Sequence, residues 1–102
     1  MSETTRQHAA GVLLRMGVSM RMRGWDDLLT IVTLAAESPE PPDTAVLYAY
    51  AAEAAGVGIQ TVRSRCSRAI RDALARGLPG VPAEMSAGAF IAAAAELVRR
   101  EG

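Results

Sequence analysis

Residues Tyr48–Gly77 read YAYAAEAAGVGIQTVRSRCSRAIRDALARG. An Ala-rich segment of helical character comes first, a turn follows at Gly56, and a second helical segment ends at Gly77. Gly56 can adopt a positive φ without a Cβ penalty, and its spacing of four residues from Ala52 predicts close packing of the two helices. This layout is typical of a helix-turn-helix, here over about residues 44–77.

The second helix, predicted over residues 59–76, has two faces of different chemistry. At about 100° per residue, one arc is apolar and is expected to face the core: Val62, Cys66, Ala69, Ile70 and Ala73. The opposite arc is polar: Gln60, Thr61, Arg63, Ser64, Arg65, Ser67, Arg68 and Arg71. Five arginines between positions 63 and 76 face a single acid, Asp72, so the charge on this helix is not balanced.

The polar arc carries the side chains that DNA readers use. Arginine can donate two hydrogen bonds to guanine O6 and N7, and it also pairs with phosphate. Short hydroxyl side chains allow a helix to lie deep in a DNA groove. We therefore predict that all eight residues of the polar arc contact double-stranded DNA. Gln60 and Arg71 are expected at backbone phosphates, and the residues near the start of the helix at base edges or adjacent phosphates. The alternative is an amphipathic helix whose polar face only meets water.

Length and composition predict one all-α domain. The chain has 102 residues, half of them apolar but only four aromatic, and alanine dominates the apolar set. Valine and isoleucine recur at helical spacing and do not alternate, which argues against strands. We expect about five to six helices with the helix-turn-helix embedded among them.

Capping and breaking residues place the remaining helices. Ser2 or Thr4 is expected to cap a first helix that runs to about Met16. The segment Val18–Arg23 alternates apolar and polar residues and predicts a short extended link. A buried second helix is predicted to begin at Gly24, with Trp25 in the core and Asp26 and Asp27 in its first turn. A proline-rich break at 38–42 separates it from a third helix, which is capped by Asp43 or Thr44. A last helix is predicted to be capped by Ser86.

The formal net charge is zero, but the charge is unevenly distributed. Residues 1–56 carry four arginines and seven acids, a balance of −3, and residues 57–102 carry seven arginines and four acids, a balance of +3. The positive half is centred on the predicted DNA-reading helix. An acidic opposite side is compatible with specific binding and would limit non-specific adhesion to DNA.

The sequence gives little support for an enzyme or a cofactor protein. The single histidine, His8, has no metal-ligating residue at suitable spacing, and Asp26 and Asp27 are better explained as first-turn acids. Neither a metal site nor a bound cofactor is predicted. The single Cys66 cannot form an internal disulfide, and no apolar run approaches the ~18 residues of a membrane span. We therefore expect a cytoplasmic protein without a membrane segment.

The chain resembles the C-terminal DNA-binding effector domain of the sporulation master response regulator of endospore-forming bacteria. No single motif carries this resemblance; it depends on an ordered set in register over most of the chain. The matching positions are Gly17-Val18, Arg23-Gly24-Trp25, Leu47-Tyr48, Ala52, Val62, Ala69-Ile70, Arg76-Gly77 and Phe90-Ile91-Ala92. The resemblance implies a six-helix all-α fold with an embedded helix-turn-helix, and sequence-specific DNA binding that regulates transcription.

Three positions depart from that family's pattern. Thr61 stands where the family has Arg, Arg63 where it has Glu, and Ser64 where it has Arg. We therefore expect a different DNA site. The chain has no receiver domain ahead of the effector fold, so it is expected to be a stand-alone relative or a piece of a longer regulator. A second, local resemblance covers Gly56–Ala69, which is similar to the promoter-reading helix-turn-helix (region 4) of extracytoplasmic sigma factors.

Two further expectations concern partners. A domain of this size that reads one half-site binds weakly, so homodimeric or tandem binding on DNA is expected. The competing interpretation is a helical protein-interaction or adaptor module that keeps the fold without binding DNA. On that interpretation the last helix, Ala87–Glu101, presents a docking face, whereas the simpler expectation is that its apolar stripe completes the core.

Overall fold

A computed structural model describes residues 2–101 and confirms the all-α prediction. The described part of the chain contains five α-helices: α1 (Glu3–Arg15), α2 (Gly24–Glu37), α3 (Thr44–Ala55), α4 (Ile59–Ala75) and α5 (Ala87–Glu101). One buried apolar cluster takes residues from all five. The predicted helix boundaries hold to within one or two residues.

Local capping explains where two of these helices begin. The Ser2 Oγ accepts a hydrogen bond from the Thr5 N–H at 3.4 Å, so Ser2 and not Thr4 caps α1. The Ser86 Oγ accepts from the Ala89 N–H at 3.1 Å, as predicted for α5. Asp43 occupies the cap position of α3 without a side-chain cap hydrogen bond.

Helix α2 is the centre of the fold, as its apolar sequence predicts. It contacts each of the other four helices. The residues Leu28, Ile31 and Val32 are fully buried, and Trp25 is also in the core. The buried hydroxyl of Thr33 on α2 donates a 2.6 Å hydrogen bond from Oγ1 to the Leu29 carbonyl, so its burial leaves no donor unpaired.

Helices α2 and α4 approach each other closely at Gly24, a glycine that the sequence did not single out for this role. A Cβ built on Gly24 would lie 2.4 Å from the Arg65 carbonyl oxygen, so α2 touches the backbone of α4. The positive φ predicted for Gly56 is confirmed at 70°, but the space around that glycine is open. Helices α3 and α4 do contact each other and Ala52 is buried, but Gly56 itself is not a point of close approach.

The apolar faces of the last two helices pack inward. Every residue of the predicted apolar arc of α4 is buried, from Val62 to Ala73. The apolar spacing of α5 predicts a stripe of Phe90, Ile91, Ala94, Leu97 and Val98. All of these are buried except Leu97, which keeps 39% of its surface exposed. The stripe runs instead through Ala95, which is buried.

Candidate nucleic-acid interface

All eight residues of the predicted polar arc of α4 line two adjoining shallow grooves on the surface. Ser64 and Arg68 belong to both grooves. The first groove adds Gln60, Thr61 and Arg65, and the second adds Arg63, Ser67 and Arg71. Six of the eight residues are exposed, whereas Arg65 and Ser67 are half-buried. The structure therefore brings the predicted residues together on one open surface, which we call the α4 surface.

Arg65 is less available than its position on the helical wheel predicts. Its side chain leans against α2, where Nη1 lies 3.9 Å from Oδ2 of Asp27. Asp27 is buried, and its Oδ2 has no hydrogen-bond partner among residues 2–101. Burial raises the pKa of Asp27, and the nearby Arg65 guanidinium opposes this rise. The sequence predicted Asp27 as a first-turn acid; it holds that position, and it also partly compensates the charge of Arg65.

Arg63 is oriented by an aromatic ring from α3. Its guanidinium carbon lies 5.1 Å from the centroid of the Tyr48 ring, within the range of a cation–π contact. Tyr48 is buried, so the ring is held in place by the core, and this burial raises the pKa of its hydroxyl. Arg63 is exposed. Its guanidinium group is therefore held against the ring but can still contact a binding partner.

Two arginines outside the predicted polar arc, Arg21 and Arg23, extend the α4 surface. Arg23, directly before α2, lines the first groove together with residues of α4. Arg21 and Arg23 line a neighbouring depression with Arg65 and Arg68. The segment before α2 was predicted as an extended link, but it turns: the Met22 N–H bonds to the Ser19 carbonyl at 3.2 Å. This turn keeps Met22 half-buried and leaves both arginines exposed.

The α4 surface is positive because its arginines are largely uncompensated. Of the residues that line the two grooves and the neighbouring depression, none is acidic. Arg23, Arg63, Arg68 and Arg71 take part in none of the ion pairs found within residues 2–101. Asp72, the one acid in α4, pairs with Arg76 at 2.7 Å. A surface of this kind attracts polyanions.

The other candidate chemical groups offer no second site. Burial raises the pKa of the Cys66 thiol to about 12, so the sulfur remains protonated and inert near neutral pH. Within the described part of the chain, no group of three or more His, Cys, Asp or Glu residues is arranged to hold a metal ion. None of the helices described combines the length and the apolar character that crossing a membrane requires.

Comparisons of the chain with protein-family models, with curated proteins and with solved structures find no match. The chemistry of the α4 surface therefore has to be argued from its own side chains. Guanidinium groups provide planar, permanently charged donors that fit phosphate oxygens and guanine edges. The hydroxyls of Thr61, Ser64 and Ser67 and the amide of Gln60 add short neutral donors and acceptors between them.

Proposed function

We propose that this protein is a sequence-specific DNA-binding transcription regulator that inserts α4 into the major groove. On this proposal α3, the turn at 56–58 and α4 form a helix-turn-helix, with α4 as the recognition helix. One observation carries the proposal: the polar side chains of α4 form one exposed, continuous surface whose arginines have almost no acidic partners.

The dimensions of α4 suit this role. Its 17 residues span about 25 Å at 1.5 Å per residue, and the major groove of about 12 Å admits one helix. Small side chains at Thr61, Ser64 and Ser67 alternate with the arginines, so the helix backbone can come close to the bases. We assign Arg63, Ser64 and Arg68 to base edges or adjacent phosphates and Arg71 to the backbone.

The N-terminus of α4 adds a second means of holding DNA. No side chain caps this end of the helix, where Gly58 occupies the cap position. The first N–H groups and the positive end of the helix dipole therefore suit a phosphate oxygen, and Gln60 lies beside them. A phosphate bound here would fix the register of α4 in the groove without reading sequence.

The wider biological setting is part of the same proposal. The resemblance to the effector domain of the sporulation regulator favours a bacterial cytoplasmic regulator. A single domain that reads one half-site needs a second copy for high affinity, so we propose homodimeric or tandem binding on DNA. A second candidate function is a protein-interaction module, which is favoured by the exposed apolar residues Val46 and Tyr50 on α3.

A salt titration separates these two functions. The affinity for a fluorescent mixed-sequence duplex is measured by anisotropy at several salt concentrations. For wild-type protein, the logarithm of the binding constant is expected to fall linearly with the logarithm of the salt concentration. Arg71→Ala is expected to reduce the slope of that line by about 1. Arg100→Ala is the control, because Arg100 pairs with Glu96 on α5 and is expected to keep the wild-type slope. If the wild-type protein does not bind duplex DNA, the proposal fails and the interaction module gains support.

A further inference from the structure

We propose that Arg23 binds a backbone phosphate at the edge of the DNA groove that α4 occupies, so that α2 and α4 together hold the DNA. This inference rests on the proposed function and adds to it a residue outside the recognition helix. Three observations support it: the fixed position of Arg23, the groove that it shares with α4, and the charge balance around that groove.

The position of Arg23 relative to α4 is set by backbone contact. Arg23 directly precedes Gly24, where α2 touches the Arg65 carbonyl so closely that a Cβ would lie 2.4 Å from its oxygen. The Trp25 N–H also bonds to the Met22 carbonyl at 3.0 Å, which defines the turn that leads into α2. Arg23 is therefore presented from a rigid point and not from a loose loop.

Arg23 and residues of α4 line the same groove. The residues of α4 that share this groove with Arg23 are Gln60, Thr61, Ser64, Arg65 and Arg68. A helix with its side chains is about 10–12 Å wide and fills a major groove of about 12 Å. A group placed beside such a helix, on another element, therefore meets the wall of the DNA groove, which is sugar and phosphate. This geometry assigns Arg23 to a phosphate and not to a base.

The charge balance explains why Arg23 matters there. Arg65 also lines this groove, but the buried Asp27 lies 3.9 Å from it and offsets its charge. Arg23 and Arg68 have no such partner among the described ion pairs and supply the net positive charge of the groove. A phosphate between them would receive charged donors from two helical elements, which fixes orientation as well as adding affinity.

The test uses a duplex selected for tight binding and a series of copies, each with one phosphate replaced by a neutral methylphosphonate. Releasing the counterion of one phosphate contributes about fivefold to affinity at 0.15 M salt, from the slope of about 0.9 per contact. We expect Arg23→Ala and Arg23→Gln each to weaken binding about fivefold while keeping the preferred sequence. We also expect both variants to become insensitive to methylphosphonate at one position where wild-type protein is sensitive.

The glutamine variant keeps a long polar side chain, and Arg23 is exposed, so the two variants together separate loss of charge from loss of fold. Arg100→Ala is again the control and is expected to keep every wild-type sensitivity. If Arg23→Gln responds to methylphosphonates at all the same positions as wild type, Arg23 holds no phosphate and this inference is overturned, while the proposed function stands. If the wild-type protein binds no duplex, both are overturned.

Discussion

Replacing Gly24 by alanine tests the contact that sets the distance between α2 and α4. The added methyl group would lie 2.4 Å from the Arg65 carbonyl oxygen, 2.8 Å from the Arg65 carbonyl carbon and 3.1 Å from the Ala69 Cβ. Contacts of a Cβ below 3.0 Å essentially do not occur, so the two helices must separate by about 0.6 Å or more. Two of the three obstructing atoms are backbone, so no side chain can rotate away to make room.

Overpacking a core lowers the free energy of unfolding by about 1–3 kcal/mol. The upper half of this range applies to Gly24→Ala, because the new methyl group meets backbone atoms that cannot rotate away. Alanine offsets part of this cost, because it restricts the unfolded chain and favours a helix by about 1 kcal/mol. The net loss is therefore about 1–2 kcal/mol. For a domain of this size, each kcal/mol lowers Tm by about 4–8 °C, so Gly24→Ala should melt about 4–16 °C below wild type.

Thermal unfolding followed by far-UV circular dichroism measures this difference. Gly11→Ala is the matched control, because Gly11 lies inside α1 and a Cβ there would meet nothing within 4 Å. The same substitution at Gly11 is expected to raise Tm by a few degrees, since only the gain from alanine remains. If Gly24→Ala melts at or above the wild-type temperature, α2 and α4 are not in backbone contact. In that case the rigid placement of Arg23 has no basis.

Three further predictions follow from the contacts of the buried groups. Tyr48→Leu removes the ring that orients Arg63, so it should weaken binding to a selected duplex about two- to fivefold in an anisotropy titration. Tyr48→Phe keeps the ring and should keep wild-type affinity. Equal losses of affinity in the two variants would contradict a cation–π contact. The raised pKa of Asp27 means that stability from this group is full below its ordinary value of 3.8 and is lost as pH rises through the folded pKa. In urea unfolding, Asp27→Asn should therefore be more stable than wild type at pH 7 but not at pH 3.5. A variant that is less stable than wild type at pH 7 would show that the attraction between Asp27 and Arg65 outweighs the cost of burying the Asp27 charge. Cys66 should resist iodoacetamide at pH 8 in native protein and react in denaturant, because burial raises its pKa to about 12; rapid native labelling would contradict its burial.

The sequence was a good guide wherever a single helix settles the outcome. The periodicity of α4 separated Val62 and Cys66 from Arg63 and Arg68 correctly, because the angle between residues of one helix depends only on their spacing. The cap at Ser86 and the positive φ at Gly56 are local in the same sense. DNA binding itself remains a prediction, since these patterns establish a surface and not its partner.

Several contacts that the sequence did not predict involve residues that are distant in sequence. The contact of Gly24 with Arg65 joins two helices whose relative position depends on the whole core. The same packing determines that Asp27 approaches Arg65 and that Tyr48 lies under Arg63. No pattern within α4 distinguishes a half-buried arginine from an exposed one, because that difference arises from the neighbouring helix.

The arginines before α2 show a different limit. Alternation in VSMRMR predicted an extended link, but Gly17 adopts a φ of 94° and the following residues turn back on themselves. Short apolar–polar alternation does not distinguish a strand from a turn, and in this turn Met22 is half-buried whereas Met20 is exposed. The only sequence feature that could have indicated a wider basic surface is the presence of Arg21 and Arg23 just before the start of α2.

Selection from a random duplex library at near-physiological salt tests the central claim most directly. The purified protein is expected to enrich one short motif, and Arg68→Ala, which removes the arginine that lines both grooves, is expected to abolish that enrichment. Arg100→Ala, on α5, is expected to recover the same motif as wild type. Recovery of DNA without any enriched motif, or of the same motif by Arg68→Ala, would contradict sequence reading by α4.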